Sequence, residues 1–277
     1  MSKTWFITGT SKGFGREWAE AALERGDRVA ATARDAKTLA PLVEKYGDRV
    51  FAQTLDVTDR AACFATVQAA HAQFGRLDVI VNNAGYGQFG FIEELSEDDA
   101  RAQMETNLFG ALWVTQAALP LLRAQKSGHI LQVSSIGGIC AFPLVGMYHA
   151  SKWALEGMSQ SLAQEVAGFG IHVTLIEPAG FSTDWAGPSA RHTTQLAAYE
   201  EVRAKTMAWR AKASSDRGDP HASAAAVLKL VDAPNPPLRC FFGTAPLGMA
   251  TKEYEARLKT WNEWQPVAIE AHGGAKK

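Results

Sequence analysis

Cysteine, net charge and long apolar segments are scarce in this chain of 277 residues, and each scarcity excludes a class of protein. The three cysteines, Cys63, Cys140 and Cys240, lie far apart without a Cys-x-x-Cys pair, so we expect neither a disulfide framework nor a zinc knuckle. A formal net charge of -1 gives no general attraction to phosphate polyanions, so no nucleic-acid partner is expected. No apolar run approaches the roughly 20 residues of a membrane span.

Metal ligands and a secretory signal are also lacking. The seven histidines are scattered without ligand spacing, so we predict no metal site. Met1-Ser2-Lys3 leads into a strand-like segment rather than into the apolar core of a signal peptide. Together with unpaired cysteines, this predicts a cytoplasmic protein. What remains is an ordinary globular composition, 47% hydrophobic and 21% charged, which excludes a disordered chain.

Short apolar runs alternate with longer helical stretches up to Pro178. This alternation predicts an α/β fold: a Rossmann-type doubly wound parallel sheet of about seven strands with helices on both faces. In such sheets, ligands bind beyond the carboxyl ends of the strands. The predicted strands are 4–8, 28–32, 50–55, 78–81, 129–133, 172–176 and 238–242, and the predicted helices are 13–25, 58–74, 96–125, 147–166, 195–212, one starting near 219, and 254–264.

A glycine-rich segment, Thr8-Gly9-Thr10-Ser11-Lys12-Gly13-Phe14-Gly15, follows the first strand. Its three glycines let the backbone approach a diphosphate, and the next helix offers free N–H groups and the positive end of its dipole. The spacing differs from the common Gly-x-Gly-x-x-Gly fingerprint, and a purely structural turn is the alternative. We interpret the segment from Gly9 to Gly15 as a dinucleotide-binding turn.

The end of the second strand bears on which dinucleotide binds. An NAD site usually has Asp or Glu about twenty residues after the glycine turn, to bind the ribose 2′-hydroxyl. Here Ala33 stands at that position and Arg34 follows, which suits a 2′-phosphate because guanidinium binds phosphate in a bidentate fork. Lys12 is a second cation for that phosphate. We therefore predict NADP(H), although Asp35 would favour NAD if it turned inward.

Two more segments follow strands and fit the adenosine half of a cofactor. Small residues in Asn82-Asn83-Ala84-Gly85, after the fourth strand, allow an adenosine to lie against the strand end. After the third strand, Asp56-Val57 presents a carboxylate that can accept a bond from the adenine amino group. An ordinary turn and a helix-preceding acid are the alternatives.

A tyrosine and a lysine four residues apart supply the candidate chemistry. Tyr148 and Lys152 lie on one helical face, and a nearby ammonium favours the phenolate, which would lower the phenol pKa into a useful range. The pair can then give or take a proton. Ser135, thirteen residues earlier at the end of the fifth strand, can donate its hydroxyl to a substrate oxygen, and Ser134 is the alternative.

Taken together, these motifs resemble the short-chain dehydrogenase/reductase family in its single-domain branch. The likeness runs from about Thr4 to Thr183. A weaker likeness, carried by Arg34-Asp35 and the tail from Asp232 to Pro237, points to the subgroup of 17β-hydroxysteroid and retinol dehydrogenases. The matching elements are Gly9-xxx-Gly13-x-Gly15, Asn83-Ala84-Gly85, Asn107, Ser135, Tyr148-xxx-Lys152 and Pro178-x-Gly180-xx-Thr183.

The resemblance implies a role for each matching residue. Tyr148 would be the general acid in reduction and the base in oxidation, and Lys152 would lower its pKa and bind the nicotinamide ribose. Ser135 would hold the carbonyl oxygen, and Asn107 would hold a water that links Lys152 to solvent. The residues that would contact the nicotinamide end of the cofactor are Pro178, Gly180, Phe181 and Thr183.

The predicted function is an NADP(H)-dependent oxidoreductase that moves a hydride between nicotinamide and a carbonyl or secondary alcohol. The alternatives are a catalytically silent NADP(H)-binding regulator and a sugar-nucleotide epimerase or dehydratase. The family implies a homodimer or homotetramer. Residues 1–277 are predicted to form one dinucleotide-binding domain, with 184–217 as a substrate lid and 218–277 as its C-terminal extension.

Apolar residues around the predicted lid favour an apolar small-molecule substrate. Trp185 and Trp209 belong to the lid, and Phe142 lies between Ser135 and Tyr148 in the sequence. Three lid arginines leave another possibility open, because they can bind an anionic group or simply face water: Arg191, Arg203 and Arg210.

Overall fold

The structure, a computed structural model, describes residues 2–183, 185, 187, 189–213 and 217–273. Its strands in chain order are β1 (Thr4–Ile7), β2 (Arg28–Ala33), β3 (Val50–Thr54), β4 (Val79–Asn82), β5 (Gln88–Phe89), β6 (Gly128–Val133), β7 (Ile171–Pro178), β8 (Arg191–His192) and β9 (Arg239–Phe242). Seven of them form one parallel sheet in the order β3-β2-β1-β4-β6-β7-β9, and β5 pairs with β8 separately.

Helices cover both faces of this sheet, which confirms the predicted Rossmann-type fold. Because side chains alternate along a strand, Trp5 and Ile7 face one helical layer and Phe6 faces the other. The first layer contains α1, α2 and α8, and the second contains α3, α5 and α6. The helices are α1 (Gly13–Glu24), α2 (Ala40–Tyr46), α3 (Arg60–Phe74), α4 (Glu97–Met104), α5 (Gly110–Gln125), α6 (Gly146–Val166), α7 (Glu200–Ala213), α8 (Ser223–Asp232) and α9 (Pro246–Ala271).

Local residues set several helix ends near the predicted bounds. Gly75, with φ +77°, ends α3 in the left-handed conformation that glycine favours. Ser96 and Asp99 form a reciprocal capping box at the start of α4. The helix predicted over 58–74 begins at Arg60 instead, because Asp59 is its cap and the Asp59 carboxylate accepts the Ala62 N–H at 2.9 Å.

Three features were not predicted. Helix α2 begins just before Pro41, which is tolerated in a first helical turn because that N–H needs no intrahelical partner. Strands β5 and β8 have two residues each, too few to show a periodicity. Helix α9 is 26 residues long and extends well beyond the predicted 254–264, because it continues through Pro266, a residue that usually ends or kinks a helix.

The described residues contain neither a membrane-spanning helix nor a metal-binding cluster. No helix there has both the length and the apolar composition to cross a membrane. In the same part of the chain, no group of three or more His, Cys, Asp or Glu side chains has metal-binding geometry. The thiols of Cys63, Cys140 and Cys240 are free, and the first two are buried.

The buried His129 makes folding stability dependent on pH. Its Nε2 lies 2.9 Å from Thr174 Oγ1, and burial lowers its pKa from 6.5 to about 3. In the folded protein His129 stays neutral, whereas in the unfolded chain it binds a proton below about pH 6.5. The contribution of His129 to the free energy of unfolding is therefore highest above pH 6.5 and decreases as the pH falls from 6.5 toward 3.

Between pH 7 and pH 5, we expect the free energy of unfolding to decrease by about 2 kcal/mol less in His129→Gln than in the wild type, because one pKa unit corresponds to about 1.4 kcal/mol. Urea unfolding at both pH values measures this difference. His71→Gln, on the surface side of α3, is the control and should retain the wild-type dependence. Equal losses in His129→Gln and the wild type would contradict the assignment.

Candidate active site

The ends of β1 and β4 are tied together at the carboxyl edge of the sheet. Asn83 Nδ2 donates to the carbonyl oxygens of Thr8 at 2.9 Å and of Gly9 at 3.0 Å. The backbone N–H groups of Asn83 and Ala84 both donate to Thr8 Oγ1. Asn83 and Ala84 therefore fix the start of the glycine turn.

Glycine is required in this turn by close approach and by backbone conformation. A Cβ atom at Gly15 would lie 2.4 Å from the Gly9 carbonyl oxygen, which no side chain tolerates. Gly9 and Gly13 have φ angles of +68° and +59°, and a Cβ at Gly13 would come within 3.8 Å of Thr183. The turn and the segment after β7 thus lie next to each other.

The other residues of the turn divide into exposed and inward-facing groups. Thr10, a predicted cofactor residue, also braces the turn: its N–H donates to the Thr32 carbonyl oxygen and its hydroxyl donates to the Ile7 carbonyl oxygen. Phe14 packs its ring on Trp18, with centroids 5.1 Å apart. Ser11 is partly exposed and Lys12 is exposed at the start of α1, whose first turn carries no acidic side chain.

Hydrogen bonds with Gly218, just beyond the predicted lid, hold the segment after β7 in place. Gly180, with φ +64°, accepts the Gly218 N–H, and Ser182 donates its N–H back to the Gly218 carbonyl oxygen. Phe181 packs edge-on against Phe14 at 4.9 Å. This places Thr183 opposite the glycine turn. Pro178 pairs with Phe242 at the end of β9.

At the end of β2, Arg34 and Asp35 have different surroundings. The Asp35 carboxylate accepts the Lys37 N–H at 3.0 Å and caps the short 3₁₀ turn that follows. Arg34 is exposed, and among the described residues no acidic side chain pairs with it. Because Asp35 is used as a cap, it does not turn inward toward a ribose.

Asp56 and Val57, which follow β3, also differ in burial and contacts. Asp56 Oδ1 accepts both the N–H and the hydroxyl of Thr58, at 3.0 and 2.8 Å. Val57 is buried, and Gly110 lies so close that a Cβ there would come within 2.6 Å of the valine side chain. Val57 therefore packs in the core, while the exposed Asp56 remains at the sheet edge.

Ser135, Tyr148 and Lys152 converge at the end of β6. The Ser135 hydroxyl lies close enough to the Tyr148 phenol to lower its pKa, and Gly137 N–H donates to Ser135 Oγ at 2.9 Å. Lys152 Nζ lies 5.8 Å from the centroid of the Tyr148 ring. Ser134 Oγ instead lies beside Gly138 and the Glu156 side chain, so the geometry favours Ser135 over Ser134.

The pKa of the phenol moves opposite to the expected direction. Burial raises the pKa of Tyr148 to about 12, against a smaller lowering from its bond with Ser135. Trp185 covers the phenol, with ring centroids 4.7 Å apart. Burial also lowers the pKa of Lys152 to about 8, and its ammonium donates to the Val133 carbonyl oxygen at 2.7 Å. Desolvation is thus the largest influence on the pKa values of both groups.

Asn107 occupies a π-helical turn, Glu105–Phe109, between α4 and α5. Its Nδ2 donates to the Tyr86 carbonyl oxygen and to Ser151 Oγ, and its Oδ1 accepts the Tyr86 N–H. Both amide hydrogens are therefore engaged. A water held by Asn107, as the resemblance implies, would need Oδ1 or the main chain of the π turn.

Sequence reasoning missed the structural task of His149. The Phe142 N–H donates to its Nε2 at 2.9 Å, so Nδ1 carries the hydrogen that bonds the Gly137 carbonyl oxygen at 2.8 Å. Burial lowers the pKa of His149, which keeps this tautomer neutral. The imidazole braces the loop between Ser135 and Tyr148.

A buried pair of carboxyl groups was also missed. Glu156 follows Lys152 by one helical turn, and its charge raises the lysine pKa against the effect of burial. Glu156 Oε2 accepts from Arg239 Nε at 2.9 Å, and Glu177 Oε1 lies 3.5 Å from the same nitrogen. Burial and repulsion from Glu156 raise the pKa of Glu177 to about 8. Isolated glutamates carry no sequence signal for this pairing.

The predicted lid contacts the site through aromatic rings and one buried ion pair. Trp185 lies 5.4 Å from Phe89 as well as 4.7 Å from Tyr148, and Gly87 leaves space for its indole. Glu94, whose side chain has no exposed surface, pairs with Arg203 on α7. Within the predicted lid of 184–217, positions 184, 186, 188 and 214–216 lie outside the described residues.

Comparison with known proteins gives consistent matches. Residues 3–194 match the family model described as short chain dehydrogenase. Oxidoreductase BOA17 of Botryotinia fuckeliana (strain B05.10) is 44% identical over 271 residues, 97% of this chain and 99% of the relative. A short-chain dehydrogenase from Streptomyces avermitilis superposes with a TM-score of 0.91 and 38% identity, covering 98% of this chain and 99% of that one.

A more distant solved structure was obtained with a nucleotide. The alcohol dehydrogenase from the archaeon Thermococcus sibiricus, complexed with 5-hydroxy-NADP, has a TM-score of 0.73 and 26% identity, covering 89% of this chain and 98% of that one.

Proposed function

The chain belongs to the short-chain dehydrogenase family of oxidoreductases, as its motifs predicted, and on this premise we propose that it is an NADP(H)-dependent enzyme that reduces carbonyl compounds or oxidises alcohols. The observation that carries the proposal is the grouping of three buried side chains, in which Ser135 acts on the Tyr148 phenol and the Lys152 ammonium lies 5.8 Å from the Tyr148 ring centroid. Two hydroxyls so arranged can both donate to one substrate oxygen.

In the proposed mechanism, the protein positions a carbonyl and supplies its proton. The bound nicotinamide would supply the hydride. Because the raised pKa keeps the Tyr148 phenol protonated at neutral pH, it is ready to act as the general acid of carbonyl reduction. Ser135 would stabilise the developing charge on the same oxygen, and Lys152 would bind the nicotinamide ribose.

The glycine turn fits a dinucleotide. Gly15 permits the close packing of α1 on Gly9, and Gly13 lies opposite Thr183 without a side chain between them. A diphosphate there would meet the N–H groups at the start of α1. Exposed Arg34 would bind a 2′-phosphate, whereas Asp35 is occupied as a cap, and this combination supports NADP(H) over NAD.

The substrate side is proposed to be largely apolar. Phe89, Trp185 and Phe142 lie around Tyr148 and its neighbour His149. Residues 184–217 would act as the lid over this surface. The narrower likeness to 17β-hydroxysteroid and retinol dehydrogenases, the cytoplasmic location and the homo-oligomer stay predictions.

Tyr148→Phe should lower kcat by at least about a hundredfold, because it removes the general acid, while NADPH affinity stays near the wild-type value. NADPH oxidation with a panel of ketones and aldehydes measures turnover, and fluorescence titration measures binding. Tyr254→Phe, on exposed α9, is the matched control and should retain full activity. Near-normal turnover in Tyr148→Phe would refute the assignment.

Substitution of the two neighbouring serines tests which hydroxyl stabilises the substrate oxygen. Ser135→Ala should lower kcat about a hundredfold or more, as expected when one donor to a developing oxyanion is lost. Ser134→Ala, which removes an unpartnered buried hydroxyl, should leave turnover near that of the wild type. The same steady-state assay serves both variants, and the reverse order of effects would contradict the geometry.

Arg34→Ala should reduce the preference for NADPH over NADH roughly ten- to hundredfold, the range expected for a charged hydrogen bond. The measurement is kcat/KM with each cofactor at saturating carbonyl substrate. Lys37→Ala removes an exposed cation three residues away and should keep the wild-type ratio. A wild-type preference for NADH would overturn the 2′-phosphate argument.

A further inference from the structure

Two arginines on α7 each place the guanidinium group over a phenylalanine ring. Arg203 and Arg210 are seven residues apart, about two helical turns, so they lie on one face of the helix. The Arg203 guanidinium carbon is 4.9 Å from the Phe91 ring centroid, and that of Arg210 is 5.0 Å from the Phe89 ring centroid. Both guanidinium groups therefore lean on the aromatic surface beneath the helix.

The two guanidinium groups differ in their counter-charge. Arg203 pairs with the fully buried Glu94 carboxylate, which also accepts the N–H groups of Phe91 and Leu196. For Arg210, no Asp or Glu in the described ranges lies within ion-pair distance. Burial lowers the pKa of Arg210, as does the like charge of Arg217. Partial removal of an unpaired charge from water is costly, so an anion that paired with Arg210 would be favoured.

The remaining lid arginines do not compete for this role. Arg191 is exposed and lies over the Tyr86 ring at 4.9 Å, and Arg217 is also exposed. Among the lid arginines, Arg210 alone combines partial burial, an aromatic contact and no acidic partner among the residues described.

Arg210 is separated from the reacting hydroxyls by an aromatic surface. Phe89, beneath Arg210, lies 5.4 Å from Trp185, and Trp185 lies 4.7 Å from Tyr148. The charge of Arg210 also disfavours protonation of His149, the residue next to the phenol. A ligand with its carbonyl at Tyr148 and an apolar segment along Trp185 and Phe89 would end at Arg210.

We propose that Arg210 determines substrate specificity by binding a carboxylate, so that the enzyme acts on oxo or hydroxy acids whose two functional groups are joined by an apolar segment. This inference rests on the proposed function, since it takes Tyr148 as the site of carbonyl chemistry. A carboxylate is the planar anion that a guanidinium binds with two parallel hydrogen bonds.

The test compares straight-chain oxo acids, of increasing separation between ketone and carboxylate, with their methyl esters. For at least one separation, the wild type should favour the acid in kcat/KM by roughly tenfold or more. Arg210→Gln should bring the acid-to-ester ratio close to one, mainly through KM. Lys205→Gln removes an exposed cation from the same helix and should keep the wild-type ratio. A ratio near one in the wild type, or a ratio that survives in Arg210→Gln, overturns the proposal.

Binding of an unreactive acid separates this inference from the proposed function. Octanoate, compared with octanol, should quench tryptophan fluorescence of the wild type at lower concentration, and Arg210→Gln should lose that difference. If no oxo compound is reduced but octanoate binding depends on Arg210, the proposed function fails and the anion site stands. If the ketones are reduced but octanoate binds equally to both proteins, the anion site fails alone.

Discussion

The Asn83 side chain holds the ends of β1 and β4 together, and the shape of the glycine turn follows from that contact. Its amide spans the Thr8 and Gly9 carbonyl oxygens, and the Gly9 carbonyl in turn sits against Gly15 at a distance only glycine allows. Parallel pairing then brings the end of β6 to the same edge. The candidate cofactor turn and the candidate acid are therefore neighbours because the strands run in one direction.

Burial is the second influence on the site. Trp185 covers Tyr148, and the surrounding protein raises the phenol pKa while lowering that of Lys152, so at neutral pH the tyrosine holds its proton firmly. Glu156 partly offsets the cost of the buried ammonium. A protonated phenol suits reduction, and the reverse reaction would need a proton acceptor at a position where the phenolate is disfavoured.

Contacts that lie close together in the chain were predictable, and their physical basis is local. Gly75 ends α3 because only the backbone of glycine adopts that conformation at little cost, and Ser96 with Asp99 caps α4 within a single turn. Strands β5 and β8 were not predictable, since two-residue strands form only where a distant segment offers backbone partners. The bracing of the turn by Thr10 was not predictable either, because a turn sequence does not reveal that the Thr32 carbonyl oxygen accepts its N–H.

Apolar periodicity and glycine placement act over a few residues, so they can be recognised in the sequence alone. They were enough to predict the parallel α/β sheet, the order of its motifs and the edge at which those motifs meet. Tertiary structure alone decided that Ser135 rather than Ser134 meets Tyr148, that burial raises the phenol pKa, and that Arg203 has a carboxylate whereas Arg210 has none among the described residues. Side-chain direction, desolvation and charge pairing depend on groups far away in the chain, and only the folded arrangement brings those groups together.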